Sequence, residues 1–179
     1  MSRRIAIAAA FASFTFASPA FADPSDWARA SDIGYGLLVG TAVGAPLLEG
    51  DEGDSLRAAG SVGAAFAVTE VLKRTVGEER PDHSDHRSFP SGHSSQSFAA
   101  AASLYKHYGW QVGLPAHGLA AFVAVARVKA KKHFAHDVIA GAAIGETSGW
   151  LIARRKNDKV QWLPWGDAHG GGVTVAMKF

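Results

Sequence analysis

Pro90-Ser91-Gly92-His93-Ser94-Ser95-Gln96-Ser97-Phe98-Ala99-Ala100-Ala101-Ala102-Ser103-Leu104-Tyr105 is the stretch on which the fold turns. Proline breaks whatever precedes it, and a serine at the mouth of an Ala-rich run can accept a bond from a first-turn amide. A helix is expected from at or just after Ser91 to Tyr105. On either side lie further apolar segments: an uncharged run from Ile33 to Leu48, then one that Ser55 could cap and that continues to Lys73. Leu114 to Arg127 and Phe134 to Ala153 follow. Asp23 to Ser31 reads as a polar lead, and Gly77 to Pro90, charged and carrying two prolines, as a loop. The fold class is therefore all-α, a bundle of about five helices whose alanines and glycines permit close backbone approach. Lys159 to Leu163 and Gly172 to Phe179 are β-favouring and separated by Pro164, Gly166 and three glycines, which predicts a short C-terminal hairpin.

The chain has 179 residues, room for one domain, and no cysteine. Disulfide scaffolds, thiolate metal sites and cysteine nucleophiles are thereby excluded. Residues 1–22 have the form of a secretory signal: Arg3 and Arg4, an apolar run from Ile5 to Phe16, then Ala20-Phe21-Ala22 before Asp23. The domain would then be 23–179, exported to the periplasm. Losing Arg3 and Arg4 leaves 16 basic against 16 acidic side chains, which argues against nucleic acid as a partner. Ile33 to Leu48 has 16 residues and Trp110 to Ala126 has 17, both short of the roughly 20 that a membrane span needs. A soluble or surface-associated bundle is the expectation. The five tryptophans read mainly as packing residues, with Trp162 and Trp165 suited to touching a membrane surface.

Polar chemistry concentrates at helix ends. Lys73 is followed after six residues by Arg80-Pro81; Pro90-Ser91-Gly92-His93 opens a helix; Arg127 is followed after five residues by His133 and after three more by Asp137. Converging, Lys73, Arg80 and Arg127 would hold a multiply charged anion. Ser91 and Gly92 sit where free amides and the positive end of a helix dipole would face that anion. Asp137 stands one helical turn beyond His133 and could fix its tautomer, freeing the other nitrogen to attack, while His93 could give and take a proton. Asp82, His83, Asp85 and His86, or His133 with His136, offer metal-ligand types, a lesser reading. Lys129, Lys131 and Lys132 read as a solvated loop that could draw in anions.

These motifs resemble the type 2 phosphatidic acid phosphatase superfamily, whose pattern is Lys-x6-Arg-Pro, Pro-Ser-Gly-His and Ser-Arg-x5-His-x3-Asp. Lys73 to Asp137 carries all three in order with each spacing kept; one departure is Ala126, where the pattern has serine. The resemblance implies a phosphatase for phosphomonoesters or pyrophosphates. Its catalytic residues would be His133, His93 and Asp137, with Lys73, Arg80, Ser91, Gly92 and Arg127 binding phosphate. It implies no cofactor or metal. A phosphorylated lipid or a small-molecule phosphate is the expected partner, with a membrane surface as a further possibility. The alternatives are a soluble broad-specificity acid phosphatase, a vanadate-dependent haloperoxidase, and a non-catalytic bundle that binds anions or lipids.

Overall fold

A computed structural model describes residues 23–153, 160–167 and 170–177. The expected signal segment, 1–22, lies outside them. Five helices form the body: α1 Pro24–Leu48, α2 Glu52–Val76, α3 Gly92–Tyr108, α4 Trp110–Lys129 and α5 Ala135–Ile152. Strands β1 Val160–Asp167 and β2 Gly170–Met177 pair antiparallel, with Val160 opposite Met177 and Asp167 opposite Gly170. The strands run on through Pro164 and Gly166, which were expected to separate them. A two-stranded ribbon is all edge and tolerates both residues. The side chains of Trp162 and Trp165 lie outside what is described.

Three helix starts fall earlier than the sequence reading placed them. Asp23 to Ser31 is no lead but the first turns of α1: the Asp23 carboxylate accepts from the Ser25 amide at 2.7 Å and Pro24 occupies the first turn. Asp51, not Ser55, caps α2 by accepting from the Asp54 amide at 3.0 Å. Ser55 instead donates to the Val43 carbonyl at 2.8 Å and ties α2 to α1. α4 begins at Trp110, directly after Gly109, whose φ of 84° turns the chain sharply out of α3.

α3 is the central element and packs on each of the other four helices. Ala99 to Ala102 are fully buried, and Leu38, Val62, Leu104, Leu119 and Val123 fill the core around them. The tightest packing is between α3 and α5. A Cβ on Gly145 would stand 2.1 Å from the Ser95 carbonyl oxygen; one on Gly141 would stand 2.5 Å from that of Ser91; one on Gly149 would stand 2.5 Å from Ala102 Cβ. Three glycines four residues apart therefore let the two backbones touch. This seam sets the start of α3 against the start of α5, where Ser91 donates its amide to the Asp137 carbonyl at 3.0 Å.

The outside of the bundle is unusually apolar. Leu37, Phe66, Val71, Leu114, Ile139 and Leu151 are all exposed, as are Trp110 and Trp150. α1 and α4, with 25 and 20 residues, are both long and apolar enough to cross a membrane by length and composition. The two runs on which the soluble expectation rested fall short of these helices: α1 starts at Pro24 rather than Ile33, and α4 continues past Ala126 to Lys129.

Candidate active site

Lys73 lies in the last turn of α2, buried, and its ammonium donates to the carbonyls of Arg87 at 2.6 Å and Ser88 at 3.2 Å. Burial, together with the nearby Arg80, pulls its pKa down to about 8. These bonds also fix the α2–α3 loop, whose residue Arg80 donates from Nε to Asp85 at 2.7 Å and from a terminal nitrogen to the Lys132 carbonyl at 3.2 Å. Arg80 thereby links this loop to the one carrying His133. Arg127, in the last turn of α4, reaches Ser31 and Asp32 of α1, each at 3.3 Å.

His133 sits on the α4–α5 loop with only 2% of its side chain exposed. Burial first, then the positive charges of Lys73, Arg80 and Arg127, push its pKa down to about 3 against the opposing pull of Asp137. The imidazole is neutral, as a nucleophile must be. Its Nδ1 lies 3.4 Å from Asp137 Oδ2, within ion-pair reach but longer than a hydrogen bond. That oxygen is instead held by the Ser88 hydroxyl at 2.5 Å and the Phe134 amide at 2.9 Å. The hydrogen bond expected from the spacing is not formed; the two groups are close, and Asp137 is anchored from elsewhere. Catalytic hydrogen bonds commonly tighten only around a substrate.

His93 is in the first turn of α3, and 30% of its side chain is exposed. Its Nε2 lies 2.9 Å from Asp32 Oδ1, and its ring stands 4.9 Å from that of Tyr35, whose hydroxyl donates to Gln96 at 2.8 Å. Burial and the Arg127 charge lower its pKa to about 4, with Asp32 pulling the other way. Ser91 is fully buried and caps α3, accepting from the Ser94 amide at 3.4 Å. This leaves the amides of Gly92 and His93 as the free donors of the first turn. A Cβ on Gly92 would meet nothing closer than 3.6 Å, so no protein neighbour demands glycine there. Ala126 is fully buried in α4.

All eight residues singled out in the sequence gather at one end of the bundle. The loop acids and histidines do not. Asp82 accepts from Lys132 at 2.6 Å and Ser84 at 2.7 Å, Asp85 takes Arg80, and His83 pairs with Glu79 in solvent. Among the described residues they form no metal-ligating cluster. His136, not His133, is the histidine that closes up on acids, 2.9 Å from Glu78 and 3.1 Å from Asp137. Lys132 is engaged with Asp82 rather than free to attract anions. The sequence reading missed Ser31, Asp32 and Ser88. Asp32 carries the better signal, a lone acid immediately before an uncharged run of 16 residues.

Three cations and a helix start around two neutral imidazoles are an arrangement chemically suited to an oxyanion. Comparison with known proteins assigns it: residues 54–161 match the family model of the PAP2 superfamily, and the chain belongs to that family. It is similar to a Helicobacter pylori protein named lipid A 4'-phosphatase, 33% identical over 55% of this chain and 50% of that one. It is also similar to a Mycobacterium tuberculosis decaprenylphosphoryl-5-phosphoribose phosphatase, 31% identical over 80% of this chain and 76% of that one. A lipid A 1-phosphatase of Porphyromonas gingivalis is 35% identical over 44% of this chain but only 18% of its own length. The chain therefore spans half or less of these two lipid A phosphatases. In structure it resembles a transmembrane PAP2-type phosphatidylglycerolphosphate phosphatase from Bacillus subtilis. The TM-score is 0.59 at 25% identity, covering 83% of this chain and 82% of that one.

Proposed function

We propose that this protein is an exported phosphatase acting on lipid phosphates through a phosphohistidine, with no metal needed. One observation carries the reading: His133, held neutral and buried, lies within the electrostatic reach of Lys73, Arg80 and Arg127 together. Three cations around a neutral imidazole suit a phosphate dianion approached by a nucleophile.

His133 Nε2 attacks phosphorus in line while Asp137 keeps the ring oriented. The phosphorus–oxygen bond breaks with its electron pair on the leaving oxygen, and His93 supplies the proton. Water then attacks the phosphohistidine, His93 takes its proton back, and the nitrogen–phosphorus pair returns to His133. Lys73, Arg80, Arg127 and the amides of the α3 first turn, held open by the Ser91 cap and by Gly92, stabilise the equatorial oxygens. That cluster of positive charge does the work otherwise given to a divalent ion. Ala126 leaves the phosphate one hydroxyl short of the family pattern.

A lipid substrate is favoured over a soluble phosphomonoester by the apolar outside of the bundle and by the two helices of spanning length. The lipid A, decaprenylphosphoryl-5-phosphoribose and phosphatidylglycerolphosphate phosphatases to which the chain is similar point the same way. The test is phosphate release by the full chain, purified in mild detergent with chelator, from phosphatidic acid, a polyprenyl phosphate, lipid A and soluble phosphomonoesters. Release that survives chelator, prefers a lipid and passes through an acid-labile, base-stable phosphoenzyme is expected. Release abolished by chelator would overturn the metal-free mechanism, and a preference for soluble esters would overturn the lipid assignment.

A further inference from the structure

Asp32 belongs to none of the three motifs, yet among the described residues its carboxylate is the one group that touches both His93 and Arg127. Oδ1 stands 2.9 Å from His93 Nε2 and 3.3 Å from a terminal nitrogen of Arg127. It enters from α1, an element outside the Lys73 to Asp137 region. We propose that Asp32 is a positioning residue for the phosphate chemistry, holding Nε2 of His93 so that Nδ1 is the nitrogen that serves the leaving oxygen. This rests on the phosphatase reading above.

The argument is geometric first. A neutral imidazole has one N–H and one lone pair, and which nitrogen holds the proton follows from the bond the other makes. A carboxylate only accepts, so Nε2 must carry a hydrogen when it faces Asp32. Nδ1 is then free to pick up the proton that is later given to the leaving group. Tyr35, three residues further along α1, packs its ring on the imidazole, so one helix face fixes both the plane and the tautomer. Asp32 also supplies negative charge. The charged and titratable groups facing His93 are Asp32 and Tyr35 from α1, Arg80 from the α2–α3 loop and Arg127 from α4. Two of these are cations that oppose protonation, and only Asp32 favours it. Without Asp32 the acid form of His93 would be scarcer. Asp32 is 58% exposed, so its removal should not disturb packing.

The role predicts a dependence on the leaving group. An alkyl phosphate needs its departing oxygen protonated, whereas a nitrophenolate leaves without help. In Asp32→Asn, kcat/KM for an alkyl or lipid phosphate should fall about tenfold or more, while that for p-nitrophenyl phosphate changes by less than about threefold. The His93 imidazole, followed by NMR and assigned with His93→Gln, should titrate about one unit lower in Asp32→Asn than in the wild type. Asp32→Glu, which keeps the charge, should recover part of the alkyl phosphate rate.

Equal losses with both leaving groups, or an unmoved His93 titration, would overturn the proposal. Faster turnover of both substrates in Asp32→Asn would also overturn it, showing a carboxylate that merely competes with phosphate for Arg127. A wild type that releases no phosphate would sink the phosphatase reading and this role with it. A wild type that turns over, beside an Asp32→Asn protein that behaves the same, would sink only the role.

Discussion

The two halves of the site are built differently. His133 and Asp137 are held largely by backbone, the glycine seam between α3 and α5 and the Phe134 amide, with one side chain, the Ser88 hydroxyl, added; both are almost wholly out of solvent. His93 is held by side chains, Asp32 and Tyr35 of α1, and is about a third open to solvent. A nucleophile must meet phosphorus along one line and gains from a rigid, dry setting. A group that shuttles a proton between a leaving oxygen and incoming water needs access to solvent and a tautomer that can be reset. The contrast between a buried and an open imidazole follows the division of labour proposed above.

The largest test of that contrast compares the two histidines. His133→Ala should lose about 10^4-fold or more in kcat for every phosphate ester. His93→Ala should lose heavily in kcat/KM, which reports formation of the phosphoenzyme, with alkyl esters but much less with a nitrophenyl ester. Equal losses for both variants on both esters would erase the distinction. Next comes the seam. Gly145→Val drives a side chain into the Ser95 carbonyl, and should lower unfolding stability by about 3 kcal/mol and abolish turnover. Denaturant unfolding and activity measured on one preparation would check both. A stable, active Gly145→Val protein would mean that backbone contact does not hold the nucleophile half.

Smaller effects sharpen the same comparison. Ser88→Ala removes a 2.5 Å bond to the buried Asp137 carboxylate and should cost about 2 kcal/mol of stability. Turnover should fall with nitrophenyl and alkyl esters alike, because the nucleophile half serves both. Acid should also tell the halves apart. Both imidazoles titrate below their ordinary value in the folded protein, near 3 for His133 and near 4 for His93. Between those values and about 6.5 the unfolded chain binds protons that the folded chain does not, so stability present at neutral pH is lost as pH falls. The slope is about 1.4 kcal/mol per pH unit for each histidine. Thermal melts from pH 7 to 3 should show the decline, and between pH 4 and 3 His133→Gln should still flatten it where His93→Gln no longer does.

Helix number and the starts of α3 and α5 could be read from the chain. Punctuation such as Pro90 and Ser91 acts on the residues next to it, and apolar runs between such stops are long enough to be seen. The early starts of α1 and α2 escaped because Asp23 and Asp51, as caps, looked like loop acids. The length of α1 matters, since it makes this helix, like α4, long and apolar enough to span a bilayer.

The eight site residues were legible because their spacing along helices and short loops matches one pattern; His133 itself lies on the α4–α5 loop just before α5, so the loop and not a shared helix face brings it to 3.4 Å from Asp137. Ser31, Asp32 and Ser88 had no such periodicity to betray them. Asp32 reaches His93 from 61 positions away and Ser88 reaches Asp137 from 49. The sequence by itself determined the helical bundle, the family pattern and the cast of charged groups, because these depend on local hydrogen bonding and on order along the chain. Only the tertiary structure decided which imidazole is buried, which carboxylate holds it, and how near α3 and α5 approach. Those are matters of desolvation and contact between segments that the linear order leaves far apart.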